Sequence, residues 1–226
     1  MNKKIWIPIL CAVLIIVGLA LAFKEPIKHY VMVPHHVEKA GHVLSKQNAK
    51  DIKHNQKSKR QPTYNTRNVS RIGEGDVGRF DPSYLNGKVV VPSVGINLPV
   101  LEGVSNTNLN YGAATMKPHQ HMGKNNYVLA GHHTYNARML FTPLMRVQKG
   151  AHVYLTDKSK VYDYQIDTLK RVDKHDTSLV ESTKDARLTL VTCTDVEGTM
   201  RYIVQGKLGK SYDIHHAPKH IVQDLE

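Results

Sequence analysis

The hydrophobic and polar positions divide the chain into one long apolar run, a polar segment and a region of short alternating runs. Residues 5–23 form the apolar run, which is broken only by one proline and one glycine. At about 1.5 Å of helical rise per residue, this length matches the hydrocarbon core of a bilayer. Lys3 and Lys4 precede the run and favour a cytoplasmic N-terminus. We therefore predict a transmembrane signal-anchor after a short cytoplasmic end, residues 1–4.

A cleaved signal peptide is the alternative interpretation, with Ala20-Leu21-Ala22 as its cleavage site. The apolar run is long for a signal peptide, so an uncleaved anchor is favoured. Cys11 lies within the run and is not a lipoprotein cysteine, because Pro-Ile-Leu precedes it instead of small residues.

The segment 24–75 is polar and basic, with eleven Lys or Arg against four Asp or Glu. No apolar stripe is sustained along it, which predicts a solvated stalk with at most a short helix near His36–Leu44. The tail, residues 211–226, is also polar, and we expect it to be frayed or to lie on the surface.

Residues 76–210 form the predicted folded domain, in which short alternating or β-branched runs are separated by Gly, Pro and Asn. Met139–Val147 is the clearest helical candidate, and it is short. About seven strands without a long helix predict an all-β fold, either an antiparallel barrel or a sandwich. The predicted strands are Lys88–Val91, Ile96–Leu101, Asn126–His132, His152–Thr156, Val161–Val172, Arg187–Cys193 and Arg201–Leu208.

The formal net charge of +12 suits anionic partners such as phospholipid headgroups, an acidic cell wall or nucleic acid. Much of the excess lies in the segment 24–75, beside the apolar run, so a membrane or wall partner is favoured. Nucleic-acid binding is not expected, because the sequence has no zinc-finger spacing, RNP-like aromatic motif or basic heptad region.

The two cysteines are Cys11 and Cys193. If the apolar run spans a bilayer, the membrane separates the two thiols, and Cys193 is a lone thiol on an extracytoplasmic domain. Secreted domains usually place cysteines in disulfides. The lone thiol is therefore either an inert buried side chain or a reactive nucleophile.

Cys193 ends a predicted strand in which it and Thr192 point to opposite faces. A polar link leads to the next strand, which begins at Arg201. If the two strands form a hairpin, Cys193 and Arg201 are neighbours at one rim. A guanidinium in that place favours the thiolate and can donate hydrogen bonds to an oxyanion. The alternative is that Arg201 is only a solvated residue at the start of a strand.

His132 follows Gly131 at the end of another predicted strand, where an imidazole can present a ring nitrogen to a cleft. A cysteine nucleophile needs a proton acceptor that later protonates the leaving amine, and histidine titrates in the suitable range. The alternative is an ordinary surface histidine, since the chain has 14.

A metal site is a further alternative, with His119 and His121 or the pair His132-His133 as zinc ligands. No Asp or Glu occurs from Gly103 to Thr156, so the carboxylates that support zinc-bound histidines or bind calcium are missing. We therefore predict no metal site.

His precedes Cys in the chain, unlike in papain-type proteases, and the G-x-S-x-G hydrolase motif is absent. Five features follow one another between about residues 78 and 208: YGAATM at 111–116, the histidine strand end LAGH at 129–132, MLFTPL at 139–144, TLVTC at 189–193 and Arg201 eight residues after the cysteine. Together and in this order they resemble the sortase family, whose signature is TLxTC, and its class A members in particular.

The resemblance implies a closed eight-stranded β-barrel with short helices, and a cysteine transpeptidase. Such an enzyme cleaves an LPxTG-type sorting signal of a surface protein between Thr and Gly. By position, Cys193 attacks the Thr carbonyl to form a thioacyl-enzyme, and His132 acts first as acid and then as base. Arg201 steadies the substrate and the oxyanion, with Thr192 in support. The acceptor is an amino group of lipid II, the peptidoglycan precursor.

The same resemblance places Met116, Ala130 and Val191 near positions that contact the Leu-Pro end of the signal. Plain barrel core is an equal alternative for Ala130 and Val191. Some class A members bind calcium through acidic residues before the histidine strand. Those residues are missing here, so we expect calcium-independent activity without a cofactor.

The sequence also allows two other functions. A membrane-anchored cysteine peptidase would use water as the acceptor, and would make free acid where a transpeptidase makes ligated product. A wall- or lipid-binding module would work through its basic stalk, and replacement of Cys193 by Ala would leave its function intact.

Overall fold

The computed structural model describes residues 3–58, 61–66, 69, 77–195 and 198–225. An N-terminal helical region leads into a β-barrel. The helices are α1 (Lys3–Ile27), α2 (Val33–Lys46), α3 (Ala49–Lys57), α4 (Asn106–Tyr111) and α5 (Lys219–Leu225), with a π-helical segment, Lys28–Met32, between α1 and α2. The strands are β1 (Leu85–Val91), β2 (Ile96–Leu101), β3 (Ala113–Thr115), β4 (Asn126–Ala130), β5 (His152–Thr156), β6 (Lys160–Asp173), β7 (Arg187–Cys193) and β8 (Met200–Asp213).

The eight strands close into a barrel in the order β1-β2-β3-β4-β7-β8-β6-β5, which confirms the predicted fold. The barrel is mixed, however, because β2 pairs with β3 and β4 pairs with β7 in parallel. The purely antiparallel arrangement expected from the strand pattern is therefore wrong. Parallel pairs need a crossover connection, and α4 supplies one between β2 and β3.

The alternation of apolar and polar residues predicted most of the longer strands. The predicted bounds of β2, β5 and β7 agree with the structure, and β1, β6 and β8 extend beyond the predicted runs. Three features were missed or reduced. The strand expected at Asn126–His132 ends at Ala130, so His132 lies just beyond β4. The three-residue β3 is too short to show an alternation, and the helix expected at Met139–Val147 is a 3₁₀ turn, Thr142–Arg146, with Pro143 inside it.

Alternation along β7 separates the barrel interior from its outer face. Leu188 and Leu190 point inward, are each 1% exposed, and belong to the main core. Val191 points outward and packs in a small separate cluster with Val128 and Ile203. The outer cluster lies on the face that also carries Cys193, two residues along the strand.

The segment 24–75, in its described part, is not a solvated stalk. Ala40 and Leu44 on α2 and Ile52 on α3 are buried against the outside of the barrel. Asn55 is also buried, and its side-chain amide donates to the carbonyl of Leu85 at 3.0 Å. The prediction failed because a few apolar residues at helical spacing suffice to dock a helix whose other positions are basic.

The tail is not frayed over its described residues. β8 continues to Asp213, and α5 buries Ile221 and Leu225 on the outer face of the barrel. Lys88 of β1 donates to the carbonyl of Leu225 at 2.6 Å. The two apolar side chains are four residues apart and share one helical face, which explains the docking of an otherwise polar segment.

The N-terminal helix contains one stretch, Trp6–Lys24, that is long and apolar enough to cross a membrane. None of this stretch is buried against the rest of the protein. Its length and exposure fit the predicted anchor.

Candidate active site

The register of three neighbouring strands brings the predicted catalytic residues to one rim of the barrel. In the parallel pair of β4 and β7, Ala130 stands opposite Val191, and the Gly131 amide donates to the Val191 carbonyl at 3.0 Å. His132 therefore leaves β4 at the edge where β7 ends. In the antiparallel pair of β7 and β8, Cys193 stands opposite Arg201.

The loop between β7 and β8 fixes the side chain of Arg201 beside the thiol. Its Nη1 donates to the carbonyls of Gly198 and Met200, at 3.0 and 3.3 Å. Gly198 has a φ of 72°, which favours glycine, and a Cβ there would lie 3.5 Å from the Cys193 sulfur and 3.8 Å from Nη1 of Arg201. The thiol of Cys193 and the guanidinium of Arg201 therefore both lie next to Gly198 in the loop.

Asp195 organises the same loop through its carboxylate. It accepts hydrogen bonds from the hydroxyls of Thr199 and Thr194 and from the amides of Gly198 and Thr199. These bonds, that of the Thr199 hydroxyl first, lower the pKa of Asp195 to about 2. The carboxylate is therefore ionised at neutral pH and holds the turn that positions Arg201.

The thiol of Cys193 is half-buried, and its burial raises its pKa above the ordinary value. The guanidinium of Arg201 opposes this rise, and the negative charge of Asp195 adds to it. Burial is the largest of the three effects. The resting side chain is therefore a protonated thiol at neutral pH, with a cation beside it that stabilises any thiolate that forms.

His132 is buried, with 8% of its surface exposed. Burial, followed by the charge of His29, lowers its pKa to about 4, so the imidazole is neutral at pH 7. Its Nε2 is buried and has no hydrogen-bond partner within the described part of the chain. A neutral imidazole with an unused ring nitrogen at this rim is suited to accept a proton.

Gly131 allows the ring of Phe141 to pack directly onto the strand end that carries His132. Phe141 is fully buried, and its amide donates to the His132 carbonyl at 3.1 Å. A Cβ on Gly131 would lie 2.5 Å from Cδ2 and 3.0 Å from Cδ1 of Phe141. The missing side chain thus lets the following segment fix the backbone of His132.

The predicted substrate-contacting residues lie together on the outer face of the barrel, on the side of Cys193. Ala130 pairs with Val191, and the Met116 amide donates to the Val128 carbonyl at 3.0 Å. Met116 also packs against the two small apolar clusters that contain Ala130 and Val191. The three side chains therefore form one apolar surface, which is not part of the main core.

One side of this apolar surface is bounded by two residues that the sequence did not predict as part of the site. Leu179 and Val180, in the loop between β6 and β7, pack against the cluster that contains Val191. The Leu179 carbonyl accepts from the side-chain amides of Asn126 and Gln205, at 3.1 and 2.9 Å. The Thr189 hydroxyl links these two amides. The only sequence signal was an apolar pair within a polar loop.

Thr192 lies on the opposite side of β7 from the thiol. It is 2% exposed, and its hydroxyl has no hydrogen-bond partner among the residues that the structure describes. The alternation of side chains along β7 points it into the barrel while Cys193 points outward. Its hydroxyl is therefore not presented on the face where the thiol lies.

The histidines of the alternative metal site, His119 and His121, belong to the described part of the chain. His119 and His121 are exposed. No group of three or more His, Cys, Asp or Glu is arranged to hold a metal ion within the described ranges.

The π-helical segment reaches the loop that follows His132, a contact that the sequence did not predict. The His29 ring is 1% exposed and stands edge-on to the Tyr135 ring, with 4.8 Å between centroids. The Tyr30 hydroxyl donates to the Tyr135 carbonyl at 3.4 Å. The end of the apolar helix is thus joined to the rim that carries His132.

Known proteins of one family are similar to this chain in sequence and in fold. A family profile described as a sortase domain matches residues 89–209. Sortase A of Streptococcus agalactiae serotype III (strain NEM316) is 40% identical over 225 residues, covering 95% of this chain and 89% of that protein. Sortase A of Listeria monocytogenes serovar 1/2a is 37% identical over 205 residues, covering 88% and 90%. A crystal structure of Listeria monocytogenes sortase A is 41% identical with a TM-score of 0.59, covering 63% of this chain and 97% of that one.

Proposed function

Because the chain belongs to the sortase family and is a cysteine transpeptidase of class A, we propose that it cleaves an LPxTG-type sorting signal between Thr and Gly and joins the surface protein to an amino group of lipid II. One observation carries the proposal. Cys193 is paired with Arg201 at the rim where His132 leaves β4, beside an apolar surface.

In the first half-reaction, the Cys193 sulfur attacks the Thr carbonyl carbon while the thiol proton passes to His132. Burial keeps both groups neutral at rest, so this proton transfer accompanies the attack. Arg201 donates hydrogen bonds to the oxyanion of the tetrahedral intermediate. The carbon–nitrogen bond then breaks, His132 protonates the departing Gly amine, and a thioacyl-enzyme remains.

In the second half-reaction, the amine of the acceptor attacks the thioester carbonyl and His132 accepts its proton. The carbon–sulfur bond breaks, a new amide forms, and the sulfur takes the proton back. Water in place of the amine would give hydrolysis, so the fate of the thioester depends on which nucleophile reaches it first.

The apolar surface of Met116, Ala130 and Val191 binds the Leu-Pro end of the signal, with Leu179 as its wall. Because Thr192 faces the barrel interior, its support for the oxyanion comes through the backbone beside Cys193 rather than through its hydroxyl.

The apolar helix anchors the enzyme in the cell membrane as a single span, with the barrel on the outer side. Turnover requires no calcium. A sample treated with a chelator should be as active as one with added calcium, and a rise on adding calcium would contradict this.

The test uses the full chain in detergent micelles with an LPxTG peptide and a glycine-type amine, followed by mass spectrometry. We expect Thr–Gly cleavage and ligated product from the wild type and from Cys11→Ala, and neither from Cys193→Ala. Cleavage without ligation would indicate a peptidase that uses water. Absence of cleavage across varied motifs would favour a wall-binding module.

A further inference from the structure

Outside the apolar stretch, the exposed large apolar side chains lie in the helical turns that follow it and near the rim that carries His132 and Arg201. In the described part of the chain, the exposed large hydrophobic residues outside the stretch Trp6–Lys24 are Ile27, Tyr30, Val31, Met32, Tyr135 and Met200. Four of them lie in the turns that directly follow the apolar stretch. Tyr135 lies three residues after His132, and Met200 immediately precedes Arg201. Such a concentration of exposed apolar groups marks an interaction surface.

We use the name rim patch for four of these exposed side chains, Tyr30, Val31, Met32 and Tyr135, which are 57%, 60%, 47% and 57% exposed. The bond from the Tyr30 hydroxyl to the Tyr135 carbonyl and the packing of the His29 ring on Tyr135 hold its two parts together. The height of Tyr135 above a membrane is therefore set by the helix that contacts it.

The apolar stretch ends at Lys24, and Tyr30 lies six residues later along a continuous helical region. At about 1.5 Å per residue, Tyr30 stands at most about 9 Å beyond the end of the stretch. The headgroup layer on each side of a bilayer is roughly 5–8 Å thick. Tyrosine is enriched in this layer, because its ring is apolar and its hydroxyl is polar. Tyr30 therefore lies at the outer edge of this layer, where its side chain can reach the headgroups, and its contact with Tyr135 holds Tyr135 close to the same height.

We propose that the rim patch contacts the headgroup layer of the bilayer and holds the active-site rim against the membrane surface. The inference rests on the anchoring proposed above. Lipid is the occupant that continuity with the anchor favours, and the exposed Lys24 and Arg138 suit anionic headgroups. An acceptor amine carried by a lipid would then meet the cleft without leaving the membrane surface.

The chain offers a direct test, because Trp6 is its only tryptophan and lies in the apolar stretch. The full chain is reconstituted in vesicles of phosphatidylglycerol and phosphatidylcholine that carry nitroxide quenchers at the headgroup or deep in the acyl chain. Wild-type fluorescence reports the anchor. In a Trp6→Phe background, Tyr135→Trp reports the rim, Tyr30→Trp is a second reporter, and Tyr212→Trp is the control. Tyr212 lies eleven residues from Arg201 along β8, a path of about 36 Å along an extended strand.

The expected result is quenching of Trp6 by an acyl-chain label, stronger quenching of the Tyr135→Trp and Tyr30→Trp variants by the headgroup label, and no quenching of the Tyr212→Trp variant. If Trp6 is quenched but both rim reporters are not, the rim patch does not touch lipid and the inference fails while the anchor stands. Equal quenching of the rim and control reporters would indicate non-specific adsorption and also overturn it. If Trp6 is not quenched, the anchoring proposal fails and this inference fails with it.

Discussion

Substitution of Gly131 by Ala tests whether close packing behind His132 sets the geometry of the active site. Gly131 does not adopt a positive φ, so its backbone conformation is accessible to alanine. The cost is therefore steric. The new Cβ would lie 2.5 and 3.0 Å from two ring atoms of Phe141, which is fully buried and cannot turn away freely.

The added methyl group must displace either the ring or the strand end. Overpacking of this kind costs about 1–3 kcal/mol. For a protein of this size, each kcal/mol lowers Tm by about 2–4 °C. The effect on activity should be larger, because the Phe141 amide is bonded to the His132 carbonyl and moves with the ring. A displacement of about 1 Å at a catalytic group can cost about 100-fold in rate.

The assay combines thermal unfolding with steady-state ligation of an LPxTG peptide, on the full chain in detergent. Gly41→Ala is the matched control, because Gly41 lies in α2 and a Cβ added there would have no other atom within 4 Å. That variant should keep its activity and gain up to about 1 kcal/mol of stability. The double variant Gly131→Ala/Phe141→Leu should lose less than the two single losses combined, because the smaller side chain makes room for the methyl group.

A Gly131→Ala variant as stable and as active as the wild type would refute this reasoning. A loss of stability without loss of kcat would show that the packing supports the fold but does not position His132.

Three further substitutions test the charge beside the thiol, the pKa of His132 and the wall of the apolar surface. Arg201→Gln should raise the pKa of Cys193, seen as a shift of thiol alkylation to higher pH; an unchanged midpoint would contradict the role of the guanidinium. The pKa of His132, about 4 in the folded state, is below its ordinary value near 6.5, so its contribution to stability is complete above about pH 6.5 and falls as pH drops towards 4. Between pH 7.5 and pH 5 the free energy of unfolding in urea should fall by about 2 kcal/mol more for the wild type than for His132→Gln. Equal decreases in the two proteins would refute the lowered pKa of His132. Thr189→Val should remove the link that holds Leu179, raising KM for the peptide more than it lowers kcat.

The site residues with a local sequence signal were predictable, and those that depend on distant partners were not. The spacing of Cys193 and Arg201 predicts a hairpin pair, and the register confirms it. The position of Leu179 was not predictable, because Asn126 and Gln205, which hold its carbonyl, come from strands remote in sequence.

The N-terminal segment shows the same limit. Composition identified 24–75 as basic, but docking of α2 and α3 depends on a few apolar contacts with the barrel. The contact between His29 and Tyr135 joins residues more than a hundred positions apart, and no periodicity within either segment indicates it.

The parallel pairing of β4 with β7 has a consequence for the order in which the protein folds. The hairpins β1–β2, β5–β6 and β7–β8 close short loops, whereas β4 and β7, although neighbours in the barrel, are separated in sequence by β5 and β6. Pairings of such high contact order carry the larger loop-closure entropy and form slowly. We therefore expect a partly folded chain to pair Cys193 with Arg201 before His132 reaches them, so that the site is complete only once β4 has paired with β7.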